Sequence, residues 1–413
     1  MKPLALTHFT ATSCLGRGLA ATLEALRERR SGLRKCTFET VDLPTYAGEV
    51  AGVDAVVLPE PLRTFDCRNN RLALLALRQD GFLQAVEASR RRWGRRRVGV
   101  FLGTSTSGIL QCEIAYRRRD PDTGSLPADF DYATTQNSFS VAAFVRRALD
   151  LDGPAAVVCS ACSSSAKVFG SARRMIEAGL IDAAVVGGVD SLCLTTLYGF
   201  HALQLTSPEP CRPFDIARAG ISIGEAAAFA LLEPASSPTA ADAIRLLGVG
   251  ESSDAYHMSS PHPEGAGARA AMLHALHSAD LSPGEIDYIN LHGTGTQSND
   301  NSESRAVNSI FGADTPSSST KRATGHALGA AGALEAVICA LALQNDFMPA
   351  GVNTTRVDPA LAVHYLSENR AGRLTRVISN SFGFGGSNCS LIFGQAGSER
   401  AAPARRGGER SAP

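Results

Sequence analysis

The chain has 413 residues, 19% of them charged, with 40 Lys and Arg against 40 Asp and Glu. That length can bury a large core and exceeds one ordinary structural unit, and the balanced charge supplies no global field toward nucleic acid or a membrane surface. The ten cysteines stand apart from one another except for one C-x-x-C, and no export signal precedes them, so they read as reduced thiols of a cytoplasmic protein rather than a disulfide framework.

In chain order, the N-terminal MKPLALTHFTATSCLGRG has too short an apolar stretch for a signal peptide, and the reading finds no apolar run of about 18 residues for a membrane span. Basic clusters follow at Arg68 and Arg71, at RRRWGRRR (Arg90 to Arg97) and at Arg117 to Arg119. Each reads first as a solvated face and second as a docking patch for an acidic partner. Strand-like RVGVFLG then leads into a GTSTSG turn. After it comes AVVCSACSSSAKVFGSARRMI, Ala156 to Ile176: a strand-like run, two cysteines, three serines and a helix. Val168, Phe169, Ala172, Met175 and Ile176 give that helix an apolar face, and Gly179 is its stop.

The C-x-x-C admits a redox pair, half a zinc site, or one nucleophile beside a bystander. No second C-x-x-C or H-x(3–5)-H accompanies it, which argues against zinc. A redox pair leaves the Gly- and His-containing segments downstream without a role. Cys162 falls at or just before the first helical turn, where unpaired N–H groups and the positive dipole end favour a thiolate. Cys159, inside the strand-like run, is expected to be buried and inert.

EPASSPTAAD (Glu233 to Asp242) reads as a linker, and the pattern then repeats. Strand-like IDYINLHG leads into GTGTQS, and SSSTKRATGHALGAAGALEAV places a small-residue helix after His326. The repeated order predicts a duplicated α/β unit, with halves at residues 1–240 and 241–395. The Arg-, Ala-, Gly-, Ser- and Pro-rich tail, 396–413, is expected to be disordered. His292 closes a strand-like run, where α/β folds project groups into clefts. His326 is expected near a helix N-terminus, which disfavours imidazolium and leaves a neutral donor. NSFGFGGSNCSLIF is a Gly-rich loop able to turn backbone N–H groups toward a small anion.

ACSSS, CRPFDIARAGISIGEAA, LHGTGT, STKRATGHALGAAG and SFGFGGSN occur together in one order. In these motifs the chain resembles, over about residues 1 to 395, the β-ketoacyl-acyl carrier protein synthases, condensing enzymes of fatty acid and polyketide synthesis. The overall wording is also similar to ketosynthases of aryl polyene pathways. The resemblance implies a thiolase fold: two pseudo-equivalent halves in a five-layered α-β-α-β-α core. It implies decarboxylative Claisen condensation without cofactor or metal, on acyl and malonyl groups delivered by acyl carrier protein. It further implies a homodimer, with a heterodimer as the second arrangement, and no nucleic-acid or membrane partner.

By the same resemblance Cys162 is the nucleophile, and His292 and His326 hold the malonyl thioester carbonyl. Lys321 orients the site or tunes His326, with Glu303 as its ionic partner. Phe384 is a gatekeeper whose N–H, with that of Cys162, forms the oxyanion hole; Phe382 and Gly385 are further substrate-binding positions. Thr106 floors the acyl tunnel. Asp300 and Glu303 support the site, and Glu225 ties loops together. Ala226, Gln297, Arg322 and Cys159 depart from the common pattern without removing a catalytic group. Two other readings stay open. A thiolase would need a second cysteine in a C-x-G-type loop, whereas Cys389 lies beyond GFGGSN in a strand-like run. A non-catalytic chain-length-factor partner would typically lack the nucleophile.

Overall fold

The computed structural model describes residues 2–352 and 354–398. The frame of the first half is β1 (Leu4–Ser13), β2 (Val98–Gly103), β3 (Ala155–Val158), β4 (Ala183–Asp190) and β5 (Ala226–Pro234). That of the second is β6 (Ile244–Ser253), β7 (Tyr288–Asn290), β8 (Pro316–Ser318), β9 (Arg376–Gly383) and β10 (Ser387–Gly394). The first half runs β1-β5-β4-β2-β3 and the second β6-β10-β9-β7-β8. In each, the first two neighbouring pairs are antiparallel and the next two parallel. The duplication read from turn motifs is therefore also a duplication of topology. A three-residue antiparallel contact, Leu4↔Leu246 to Leu6↔Ile244, joins the two halves at β1 and β6.

Helices α1 (Arg68–Leu77), α2 (Phe82–Trp93) and α3 (Ser140–Ala148) cover the outer face of the first half. Helices α5 (Ala266–Ala279) and α6 (Gln297–Phe311) cover that of the second. Between the sheets lie α4 (Ser164–Glu177) and α7 (Ala331–Asn345). This is the five-layered α-β-α-β-α arrangement of the thiolase fold. Strands such as β4, AAVVGGVD, are buried along their whole length because helices cover both faces.

The layering corrects one expectation. An apolar window of membrane-spanning length does exist, Leu328–Asn345, and 89% of it is buried in the molecule. It is the turn before α7 and α7 itself, apolar all round because a sheet packs on either side. Of the tail expected to be disordered, residues 396–398 are described and folded. Arg376 donates through Nε to the Ser398 carbonyl at 3.0 Å, and the remainder, 399–413, lies outside the described residues.

The basic clusters are mostly neutralised within the chain. Arg68 is 4% exposed and held by Glu225 and Asp54, so it is removed as a docking candidate. Arg71 pairs with Asp66, Arg90 and Arg95 with Asp150, Arg91 with Glu87, Arg92 with Glu233, and Arg97 with Asp182. Arg117 and Arg118 pair with Glu39 and Asp129.

The central helices approach closely because the residues between them are small. A Cβ at Gly332 would lie 2.7 Å from the Ala166 nitrogen and 2.8 Å from its Cβ. Ser165 Oγ accepts from the Ala333 N–H at 2.8 Å across the same contact. Gly332→Ala should force α4 and α7 apart at a cost of about 1–3 kcal/mol. The expected outcome is a lowered Tm by calorimetry; an unchanged Tm would contradict this packing.

Candidate active site

The chain leaves β3 at Val158 and turns sharply, with Ala161 in the left-handed region at φ 52°. Ser164 Oγ closes the turn, accepting from the Ser160 N–H at 2.9 Å and donating to the Ala161 carbonyl at 2.6 Å. Cys162 emerges from it two residues before α4 and is 6% exposed. Cys159 lies just past the strand and is exposed rather than buried. The strand-like run is one residue shorter than its composition suggests, because the turn begins earlier.

His326 follows a short helix, Lys321–Thr324, and a reversal at Gly325 with φ 73°. Its N–H donates to the Ser222 carbonyl at 2.8 Å, and its carbonyl accepts from Gly224 at 3.0 Å. It sits five residues before α7, not in its first turn, so these backbone bonds place it rather than a helix terminus. His326 Nε2 lies 3.1 Å from Cys162 Sγ. His292 follows β7; its N–H and that of Gly293 donate to the two Glu303 carboxylate oxygens at 2.8 Å each. The two imidazole rings meet edge to face, 5.3 Å between centroids.

Lys321 pairs with Glu335 of α7, not with Glu303. Its ammonium also donates to the His292 carbonyl at 2.5 Å and to His292 Nδ1 at 3.3 Å. An ammonium can only donate, so Nδ1 is the acceptor and the His292 proton sits on Nε2, facing the cavity. The direct contact of Lys321 is therefore with His292 and not with His326. Asp300 accepts from the Thr294 N–H at 3.1 Å and the Phe214 N–H at 2.9 Å, fixing the turn after His292. Glu225 accepts from the Val50 and Leu192 N–H groups at 2.8 and 2.9 Å and so joins three segments with Arg68.

Burial, then the Lys321 charge, holds both imidazoles well below the usual histidine range, so both are neutral. Burial pushes the Cys162 thiol up to about 12, against the opposing pull of Lys321 and of the Phe384 N–H. The resting residue is thus a thiol rather than the thiolate expected from its helix end; desolvation outweighs the helix terminus. Cys162, His292 and His326 place ligand-type atoms within 4.8 Å of one another. The set resembles a zinc ligand triad in composition, but a protonated thiol and an ammonium 3.3 Å from His292 Nδ1 both oppose a cation.

Two cavities meet at Cys162. One is bordered by His292, His326, Thr294, Thr296 and Phe382, with Ser259 to Pro261 at one side. The other is bordered by Ser105, Cys159, Thr196 and Leu328. Phe200 and Phe384 line both, with ring centroids 5.7 Å apart. Two expected positions are displaced. Thr106 is 1% exposed and donates to Asp190 at 2.9 Å, and its neighbour Ser105 faces the second cavity instead. Gly385 shapes the loop, with φ 75° and its N–H committed to the Met258 carbonyl at 2.7 Å, and lines neither cavity.

Glu335 and Phe200 escaped the sequence reading. Glu335 had a signal: it is the lone acid in the apolar run GALEAVICALAL. Phe200 had none, since it lies in LTTLYGFHA, a largely apolar stretch with no distinctive motif.

Replacing Lys321 and Glu335 together by Met and Gln removes the nearby positive charge without stranding a buried carboxylate. Both imidazole pKa values should then rise toward the ordinary value, because the charged form is no longer repelled. Nitrogen-15 NMR of the rings should show no protonation near pH 6 in the parent and a shift toward protonation in the double variant. Identical titrations would contradict the role given to Lys321.

Comparison with known proteins places this geometry. The description "Beta-ketoacyl synthase, N-terminal domain" matches residues 1–237 and "Beta-ketoacyl synthase, C-terminal domain" matches residues 244–355. The chain is 33% identical to 3-oxoacyl-[acyl-carrier-protein] synthase 2 of Coxiella burnetii, covering 94% of this chain and 97% of that one. It is also 33% identical to nodulation protein E of Rhizobium sp. (92% and 96% covered). Among solved structures, it is 40% identical to a chain from the ketosynthase ApeO in complex with its chain length factor ApeC from Xenorhabdus doucetiae. The TM-score there is 0.87, with 96% and 98% of the two chains covered. With matches over most of its length in sequence and in structure, the chain belongs to the β-ketoacyl synthase family.

Proposed function

We propose that the protein is a β-ketoacyl-acyl carrier protein synthase that performs decarboxylative Claisen condensation. The observation that carries this reading is the 3.1 Å contact of His326 Nε2 with Cys162 Sγ, with the His292 ring beside it. An acyl thioester on a carrier protein is attacked by Cys162. The thiol proton passes through His326 to the departing carrier thiolate, so the cysteine ends acylated and the imidazole ends neutral. The N–H groups of Cys162 and Phe384 stabilise the tetrahedral oxyanion; the Phe384 N–H already points at the sulfur.

The malonyl thioester then occupies the cavity bordered by the histidines. Nε2–H of His292, fixed by Lys321, donates to its carbonyl oxygen, and so does His326 once its proton has moved from Nδ1, which has no partner to hold it there, to Nε2. They stabilise the enolate as the C–CO₂ bond breaks; its electron pair forms the C–C bond to the acyl-Cys162 carbonyl, the C–S bond breaks, and the expelled Cys162 thiolate takes a proton from solvent to return to the thiol. Neutral donors suit this step: imidazolium would form an ion pair with the malonyl carboxylate and hold it back. The second cavity accommodates the growing chain.

A non-catalytic partner role is disfavoured because the nucleophile and both histidines are present and converge. A second subunit is nonetheless part of the proposal. Strand β3 is the edge of its sheet, and Ala156 on it and Cys159 just past it are exposed; an uncovered edge is ordinarily protected by a partner. The likeness to a ketosynthase solved with its chain length factor supports a heterodimer, and the aryl polyene or polyketide pathway suggested by the sequence motifs is the setting we propose for it. A cytoplasmic location belongs to the same proposal.

Cys162→Ala should abolish acyl-enzyme formation by intact mass, whereas Cys159→Ala should still acylate. Equal acylation of the Cys162→Ala protein would refute the nucleophile. His326→Ala should lower CO₂ release from malonyl carrier protein by on the order of 10²–10³-fold. A loss below about tenfold would remove His326 from enolate stabilisation.

A further inference from the structure

The contact of Cys211 Sγ with the Lys321 carbonyl, at 3.5 Å, brings the next residues of both segments, Arg212 and Arg322, to one flank of the Lys321–Thr324 helix. Neither has an acidic partner among the described residues. Arg212 makes no side-chain hydrogen bond or ion pair, and Arg322 reaches only the Ser31 hydroxyl, through Nη1 at 2.6 Å. The Nε of each is buried and without a partner. Both side chains are partly exposed, so their remaining nitrogens are open to a ligand. Of the groups acting on Arg322, Arg212 is a cation and Cys211 and Tyr46 are weak acids; no carboxylate is among them.

Two half-buried guanidinium groups side by side repel unless an anion sits between them. The contrast with Arg68 and Arg218 is sharp, since each of those buried arginines has its own carboxylate. Burial and Arg212 together hold the Arg322 pKa below the ordinary arginine value. Arg322 is also one of the positions that depart from the common family pattern. The Arg212 backbone nitrogen lies 3.5 Å from where a Cβ on Gly295 would project, so the segment carrying Arg212 runs beside Gly295, which joins the two threonines that border the catalytic cavity.

We propose that Arg212 and Arg322 form a receptor for a phosphate-type oxyanion on the flank of the catalytic cavity. Guanidinium forks match phosphate oxygens bidentately, and the terminal nitrogens rather than the buried Nε atoms would make the contact. The phosphate can come from solution or from the phosphodiester of a pantetheine arm. The receptor stands independently of the condensation chemistry.

The test is thermal unfolding of the full chain, titrated with inorganic phosphate and separately with phosphopantetheine, at constant ionic strength. The parent Tm should rise saturably. Arg212→Gln and Arg322→Gln should each abolish the rise, and Arg322→Gln should raise the Tm in phosphate-free buffer because it relieves the repulsion. Should either fail to fold, Arg322→Lys, which keeps the charge but not the fork, should weaken the apparent affinity several-fold. A rise with both ligands assigns free phosphate as a ligand, and a rise with phosphopantetheine alone assigns the arm. No rise in the parent with either ligand, or an equal rise in parent and variants, overturns the receptor.

Discussion

The site depends on how closely two helices from different halves of the chain can approach. Gly332 of α7 lies against Ala166 of α4, and a Cβ at Gly188 would meet Ser165 at 2.5 Å and the Ala330 Cα at 3.0 Å. Small side chains at these points let the turn carrying Cys162 and the turn carrying His326 reach one another, although 164 residues separate them. Side chains one methyl larger would force the two helices apart and lengthen the contact between the sulfur and the imidazole. Asp190 at the end of β4 ties the same junction from the other side. It accepts from the Ser105 and Thr106 N–H groups at 2.7 and 2.8 Å and from the Ala330 N–H at 3.2 Å.

Electrostatics then follows from packing. Burial at this tight junction pushes Cys162, His292, His326, Asp190, Glu303 and Glu335 toward their neutral forms. Lys321 and Glu335 pair within it. Burial outweighs the opposing pull of Lys321 and leaves Glu335 at about 7. The pair projects one ammonium at His292, which sets its tautomer and reinforces the neutrality of both rings. The result is a thiol and two uncharged imidazoles bordering one cavity, where preorganised donors can meet a developing enolate.

The duplicated α/β plan was legible in the sequence because it is local. Strand, Gly-Thr turn and small-residue helix recur in order, and the structure repeats them strand for strand. Cys162, His292 and His326 were legible because each stands at a strand end or a turn within a distinctive motif. What failed was what depends on long-range packing. Cys159 was read as buried from the apolar residues before it, but the chain turns out of the sheet at that point. Lys321 was given Glu303, while the fold delivers Glu335 from the next helix. Thr106 was placed in a tunnel on its motif, but Asp190, distant in sequence, captures its hydroxyl. The apolar window around α7 passed unnoticed because its glutamate and glycines interrupt it, and only the two covering sheets explain its composition.

Phe200 and Phe384 stand where two cavities meet one sulfur, so separate routes to the nucleophile serve the two substrates in turn. The account stands or falls on both imidazoles acting on a single oxygen atom. A crystal structure of the protein with a non-hydrolysable malonyl-thioester analogue measures this directly. The account predicts the thioester carbonyl oxygen at about 2.7–3.1 Å from Nε2 of both His292 and His326. A carbonyl that contacts one ring only, or lies in the cavity on the Cys159 side, would contradict it.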